Sequence, residues 1–140
     1  MLTNTRTIRV EWGDCDPAGI VFYPRYFEMF EKCIAALFEH ATGMTKYQMV
    51  KTYRFTGYPV VQARAQFLAP AKYGDDVVAE TTISEFRRSS FDVHHRVHNG
   101  DRLAVEGFET RVWVGPHPED ATRLKSIPIP AEVIARFKGG

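Results

Sequence analysis

"PRYFEMFEKCIAALFEHATG", residues 24–43, decides the fold. Phe27, Phe30, Ile34, Leu37, Phe38 and Ala41 recur at helical spacing, and Met29, Cys33 and Ala36 widen the apolar stripe. Pro24 suits the first turn of a helix and Gly43 its stop. The spacing therefore predicts one long helix from Pro24 to about Gly43. So broad an apolar surface must be wrapped, and a sheet is the expected wrapping.

The flanking segments supply that sheet. Upstream, "TRTIRVEW" (5–12) alternates Ile8, Val10 and Trp12 against Thr7, Arg9 and Glu11, the period of a half-buried strand. Downstream, "MTKYQMVKTYRFTGY" (44–58) is ambiguous and reads as a short helix followed by an irregular connection. After Pro59 strands dominate. "VVQARAQFL" (60–68) sets Val61, Ala63, Ala65 and Phe67 against Gln62, Arg64 and Gln66, and "DVVAETTISEF" (76–86) is rich in β-branched residues. "SSFDVHHRVH" (89–98) puts Phe91, Val93, His95 and Val97 on one face. "RLAVEGFETRVWV" (102–114) is expected to turn Ala104, Phe108, Val112 and Val114 inward, interrupted by Glu106 and Thr110. Asn99-Gly100 is expected to form the two-residue turn between these last strands. "RLKSIPIPAEVIARF" (123–137) reads as a short strand and a terminal helix beginning near Pro130. The order predicts an α+β fold, one buried helix against one curled antiparallel sheet.

Composition sets the outer limits. A chain of 140 residues, 44% hydrophobic and 25% charged, is expected to form one globular domain over residues 1–140. A formal net charge of +1 gives no general argument for nucleic acid or a membrane surface. No apolar run approaches the roughly 20 residues of a membrane span. The start lacks the order of a secretory signal, and Cys15 and Cys33 make no disulfide framework, so the cytoplasm is expected.

The reactive groups crowd into "EWGDCDPAGIVFYP", residues 11–24. Asp14 and Asp16 flank Cys15 and would raise its pKa, which argues against a thiolate nucleophile. His94, His95 and His98 lie on a predicted strand. There, residues 94 and 98 sit roughly 13 Å apart while 95 points the other way, so no metal site is expected. The two aspartates stand between a strand and a helix, where a turn or a cap is the simple explanation. A carboxylate beside free N–H groups at a helix start could instead act as nucleophile or general base on a carbonyl. Arg87-Arg88 reads as a basic hairpin tip that would also suit phosphate groups.

The loop Asp-Cys-Asp-Pro-Ala-Gly-Ile-Val, the helix after Tyr23-Pro24, "AKYGDD" (71–76), "EFRRSSF" (85–91) and the Ile-Pro-Ile-Pro ending resemble the 4-hydroxybenzoyl-CoA thioesterases of the hot-dog superfamily. The resemblance runs over nearly the whole chain, and its first motif is the specific one. It implies the hot-dog fold, a long central helix wrapped by a curled antiparallel sheet, and hydrolysis of an acyl-CoA to free acid and CoA without a cofactor. It makes Asp16 the catalytic carboxylate and the Tyr23 backbone N–H the group that polarises the thioester carbonyl. Arg87 and Arg88 would meet the CoA phosphates, and Ser89 stands where the family has a third basic residue. Glu31 falls on the helix carboxylate that meets the substrate hydroxyl, one methylene longer than the family's Asp. From sequence, Glu31 is expected among the apolar positions of the helix, at i+4 from Phe27.

The expected function is hydrolysis of an aryl-CoA such as 4-hydroxybenzoyl-CoA. Two alternatives are a short-chain aliphatic acyl-CoA hydrolase of the cell-envelope-associated type and a hot-dog module that only binds acyl-CoA. A sheet wrapped on one helix leaves an open edge, which predicts a homodimer at least. The resemblance implies pairing through residues 60–68, the strand after the long helix, and extends the expectation to a homotetramer.

Overall fold

The apolar stripe of residues 24–43 forms α1, Pro24–Thr42, in the computed structural model, which describes residues 1–139. Gly43 ends the helix with φ of 72°, a left-handed conformation that costs glycine nothing. Tyr26, Met29, Phe30, Cys33, Ile34, Leu37 and Phe38 are all buried. They pack on a five-stranded sheet built from β1 (Thr3–Arg9), β2 (Val60–Phe67), β3 (Asp76–Phe86), β4 (Ser90–Asn99) and β5 (Arg102–Val112). The strand order is β1-β3-β4-β5-β2, and every neighbouring pair is antiparallel. This is the expected α+β hot-dog arrangement.

The ambiguous stretch after Gly43 contains α2, Lys46–Tyr53, started by a capping box in which the Thr45 hydroxyl accepts from the Gln48 N–H and the Gln48 side chain accepts from the Thr45 N–H. At the other end of the chain β6 (Val114–Pro116) pairs with β7 (Leu124–Ser126), and α3 (Ala131–Phe137) follows Pro130. Val133 and Phe137 of α3 close one end of the core.

Three local expectations change. Trp12 does not continue the inward face of β1. It sits in a 3₁₀ turn, Trp12–Asp14, exposed and edge-on to Tyr73. The hairpin between β4 and β5 is shifted by one residue: Asn99 pairs with Arg102, so the two turn residues are Gly100 and Asp101. Gly100 alone takes positive φ, 62°, as the first position of a type II′ turn requires. Asn99 instead donates its side-chain amide to Asp75.

The third change is in β5. Val97 faces Val105 but His98 faces Leu103, so Ala104 is an extra residue in a bulge. Beyond it the side chains facing inward are Gly107, Glu109, Arg111 and Trp113, and not Phe108. Gly107 has to be small, because a Cβ there would lie 2.5 Å from the Phe30 ring. Phe30 stacks flat on His95, the residue directly across from Gly107, with ring centroids 4.1 Å apart.

Candidate active site

The loop after β1 is held by its own backbone. Asp14 accepts a hydrogen bond from the Glu11 N–H at 2.9 Å, so this aspartate caps the 3₁₀ turn, as expected of a structural residue. Two isolated bridges, Cys15 to Val21 and Ile20 to Lys72, lay the loop against the segment that leads into β3. Between them Asp16, Pro17, Ala18 and Gly19 make a tight turn, closed by Gly19 N–H to Asp16 O and by Asp16 N–H to Ile20 O. Gly19 takes φ of 79°.

Asp16 is partly a turn residue. Its Oδ1 accepts from the Ala18 N–H at 2.8 Å, an Asx turn. Its Oδ2 has no hydrogen-bond partner among the described residues. Asp16 lines a cleft of about 540 Å³ with Tyr23, Tyr26, Phe67 and Leu68. The cleft has an open, apolar rim: Phe22 is 48% exposed, Tyr23 58%, Phe67 48% and Leu68 54%. The T-shaped contacts of Phe22 with Tyr23 and of Tyr23 with Phe67 build this rim.

Tyr23 stands immediately before α1 with helical dihedrals, φ −53° and ψ −35°. Pro24 has no N–H, Arg25 donates to Phe22 O and Tyr26 donates to Tyr23 O. The Tyr23 N–H has no partner among the described residues, and it carries the positive end of the helix dipole. A carboxylate with an open oxygen and a helix N-terminal donor thus share one cleft. That pairing suits attack on, or water activation beside, a polarised carbonyl.

Other groups at the cleft are quiet. Burial and the adjacent Asp14 and Asp16 carboxylates push the Cys15 thiol up, which makes it a poor nucleophile. The Tyr26 phenol is pushed up to about 12 by burial. His95 lies inward and fully buried, as expected, while His94 and His98 face outward against Glu106 and Glu80.

Glu31 is not among the buried positions of α1. Its side chain is 58% exposed, and Oε2 is held at 2.8 Å by Arg111, which is itself buried. Arg111 and Glu109 were missed in the sequence because the bulge at Ala104 reverses the alternation. The available signal was Trp113, a large apolar residue just beyond β5 that shares their phase with the small Gly107.

The Arg87–Ser89 turn joins β3 to β4 at the end of the sheet away from Asp16. Arg87 uses its guanidinium within the hairpin: Nη1 and Nη2 reach the two Asp92 oxygens, Nη1 also reaches Glu85, and Nε donates to Ser90 Oγ. Asp92 is held below the usual carboxylate range by that hydrogen bond. Arg88 is exposed and makes no ion pair among the described residues; its backbone oxygen accepts from Ile129. Ser89 accepts from the Trp113 N–H through its backbone oxygen.

Residues 10–137 match a family model described as the thioesterase-like superfamily. The chain is 36% identical over 131 residues to the 4-hydroxybenzoyl-CoA thioesterase of Pseudomonas sp. strain CBS-3, covering 90% of this chain and 91% of that one. Its fold is similar to that of a mutant 4-hydroxybenzoyl-CoA thioesterase solved in complex with 4-hydroxybenzoyl-CoA, with a TM-score of 0.88, 34% identity, and coverage of 97% and 99% of the two chains. It is also similar to BH1999, a gentisyl-coenzyme A thioesterase, with a TM-score of 0.79, 30% identity, and coverage of 96% and 98%.

Proposed function

This chain belongs to the thioesterase-like superfamily and is an acyl-CoA thioesterase, and from that premise we propose that its substrate is an aryl-CoA carrying a ring hydroxyl, such as 4-hydroxybenzoyl-CoA. The observation that carries the reading is the shared cleft, lined both by Asp16, whose Oδ2 has no hydrogen-bond partner among the described residues, and by Tyr23, whose N–H has none. The thioester carbonyl oxygen takes the Tyr23 N–H, whose attraction strengthens as negative charge develops on it. Asp16 then acts as nucleophile on the carbonyl carbon or as general base on a water that attacks it. In either route the carbon gains a C–O bond, the C–S bond breaks, and CoA leaves as a thiolate that takes up a proton; in the nucleophilic route water then cleaves the acyl–Asp16 anhydride and restores the carboxylate. The products are the free acid and CoA. Relatives named for 4-hydroxybenzoyl-CoA and for gentisyl-CoA support the hydroxylated aryl group, and Glu31 is proposed for its hydroxyl on the family resemblance of the sequence.

The CoA phosphates are assigned to the Arg87–Ser89 turn, with Arg88 as the residue whose donors are open. Within one chain this turn and Asp16 lie at opposite ends of β3, whose 11 residues span roughly 30 Å. The edge strand β2 is exposed nearly throughout, with apolar Val60, Val61 and Phe67 uncovered. Antiparallel pairing of β2 with its mate reverses the second copy and carries its turn toward this cleft. We therefore propose a homodimer at least, acting as a single-domain subunit pair with the site at the boundary. A homotetramer is a further pairing of such dimers. A monomeric mass by light scattering at low concentration contradicts this assembly. Among the described residues no helix is long and apolar enough to cross a membrane.

The test of the function is free-thiol release from 4-hydroxybenzoyl-, benzoyl- and butyryl-CoA. The proposal expects the hydroxylated aryl substrate to have the highest kcat/KM. A preference for butyryl-CoA replaces it with the aliphatic alternative, and thiol release from none of the three favours a module that only binds.

A further inference from the structure

A continuous polar chain crosses the core beneath α1. Thr81 Oγ1 lies 2.9 Å from His95 Nδ1, and His95 Nε2 lies 2.8 Å from Glu109 Oε1. Glu109 Oε2 accepts from Arg111 Nη2 at 2.9 Å, and Arg111 Nη1 reaches Glu31 Oε2 at 2.8 Å and Tyr58 O at 3.2 Å. The first four members are buried on three adjacent strands, and only Glu31 is exposed. Glu109, a carboxylate, only accepts, so the neutral imidazole donates from Nε2 and accepts the Thr81 hydroxyl at Nδ1. Each link fixes the next, and among the described residues the guanidinium pairs with no carboxylate besides Glu109 and Glu31. The rest of α1 is pinned at the same level by Phe30, clamped between the His95 ring and the Gly107 backbone.

We propose that Arg111 is a positioning residue for substrate selection: backed by Glu109, it holds one oxygen of Glu31 and leaves the other as a fixed acceptor for a donor on the acyl group. Glu31 Oε1 has no hydrogen-bond partner among the described residues. An exposed glutamate on a helix ordinarily samples several rotamers, and ordering it costs free energy on each binding event. A buried guanidinium held from below by Glu109 and Tyr58 O reduces that cost, because the close charge contact of Nη1 with Oε2 draws the carboxylate to one place. The acyl groups selected are those with a hydroxyl or amine hydrogen at the distal ring position. An analogue without a donor leaves the acceptor unpaired, and one bearing a second carboxylate meets like charge. The inference rests on the assignment of Glu31 to the acyl end. It adds a residue that never touches the substrate.

The experiment measures kcat/KM for 4-hydroxybenzoyl-CoA and benzoyl-CoA in wild type, Glu31→Gln, Arg111→Gln/Glu109→Gln and the triple variant. The paired change in the core removes both buried charges together, so neither is left uncompensated. The expected result is a wild-type preference for the hydroxylated substrate that falls about tenfold in the core double variant, on the scale of one discriminating hydrogen bond. Adding Glu31→Gln to that background should change the preference by less than twofold. Arg111→Lys, which keeps the charge but loses the fork, should retain part of the preference, and it decides the matter if the double variant does not fold. A purely structural Arg111 would lower both substrates alike and leave their ratio intact, which overturns the proposal. A preference lost in Glu31→Gln but retained in the core variant also overturns it while sparing the Glu31 assignment. No hydroxyl preference in the wild type rejects that assignment itself.

Discussion

From Ile34 onward α1 packs into an aromatic cluster, with Phe38 against Tyr58, Phe91 and Phe137, and Trp113 stacked flat on Phe55 at 3.8 Å. Before Ile34 the same helix packs on small side chains, among them Ala71, Ala79, Ala104 and Val105, and its first turn opens into the cleft. One end is filled and sealed by α3. The other presents exposed aromatic side chains, an unpartnered N–H and an open carboxylate oxygen. Large rings close a core because each buries much area and few atoms face voids. Small residues leave the helix N-terminus near the surface, where a substrate can reach it. On the proposed function, stability and chemistry are divided along a single helix, with the polar chain from Thr81 to Glu31 lying between them.

That division can be broken first at its sealed end. Phe38→Ala should destabilise the protein by about 3–5 kcal/mol, because a fully buried ring leaves a cavity that its aromatic neighbours cannot fill. Denaturant unfolding measures the loss, and the fraction that remains folded should keep its kcat/KM. A large fall in kcat/KM without loss of stability would show that the two ends are not separate.

The middle of the helix offers a pH test. Burial holds the His95 imidazole below its ordinary value of 6.5, against the opposing pull of Glu109. A histidine depressed by folding binds fewer protons folded than unfolded, so its stability contribution is present above about pH 6.5 and is lost as pH falls below it. Glu109 is pushed up by burial, but hydrogen bonds from His95 and Arg111 outweigh this and leave it below its ordinary 4.5. Its contribution has the same sign and is lost at still lower pH. The melting temperature should therefore fall between pH 7 and 5, and His95→Gln, which keeps a donor for Glu109, should flatten that slope. An unchanged slope removes His95 from the account.

The smallest effects are expected at the hairpin turn. Arg88→Ala should raise KM for acyl-CoA about twofold to fivefold, the scale of an exposed charge contact, and weaken its salt dependence. Arg87→Ala should instead loosen the β3–β4 hairpin, since its guanidinium is already engaged by Asp92 and Glu85. If Arg87→Ala raises KM and Arg88→Ala does not, the roles are reversed.

Much of this was legible in the sequence because it is local. The 3.6-residue period of residues 24–43, the alternation around His95, and Pro24 and Gly43 as helix limits each depend on near neighbours, and the helix ends within a residue of its expected stop. The loop around Asp16 was legible through its crowded motif. The misread parts are non-local. Trp12 leaves the strand phase because a 3₁₀ turn intervenes, and the Ala104 bulge exists only as a mismatch between β4 and β5. The bulge hid Glu109 and Arg111, since charged residues on an inward face make sense only once His95 and Glu31 are brought beside them. Glu31 itself was expected among apolar neighbours, because spacing alone could not tell the edge of the stripe from its centre.

The most direct test is turnover of 4-hydroxybenzoyl-CoA by Asp16→Asn. Asparagine retains the oxygen that accepts the Ala18 N–H, so the Asx turn and the melting temperature should survive while the negative charge is lost. The account predicts a fall in kcat of about 100-fold or more, typical of removing a catalytic base or nucleophile. A variant that turns over within about threefold of wild type, well short of the loss expected for such a group, would leave Asp16 as a turn residue only and contradict the assignment of the open end as the site of chemistry.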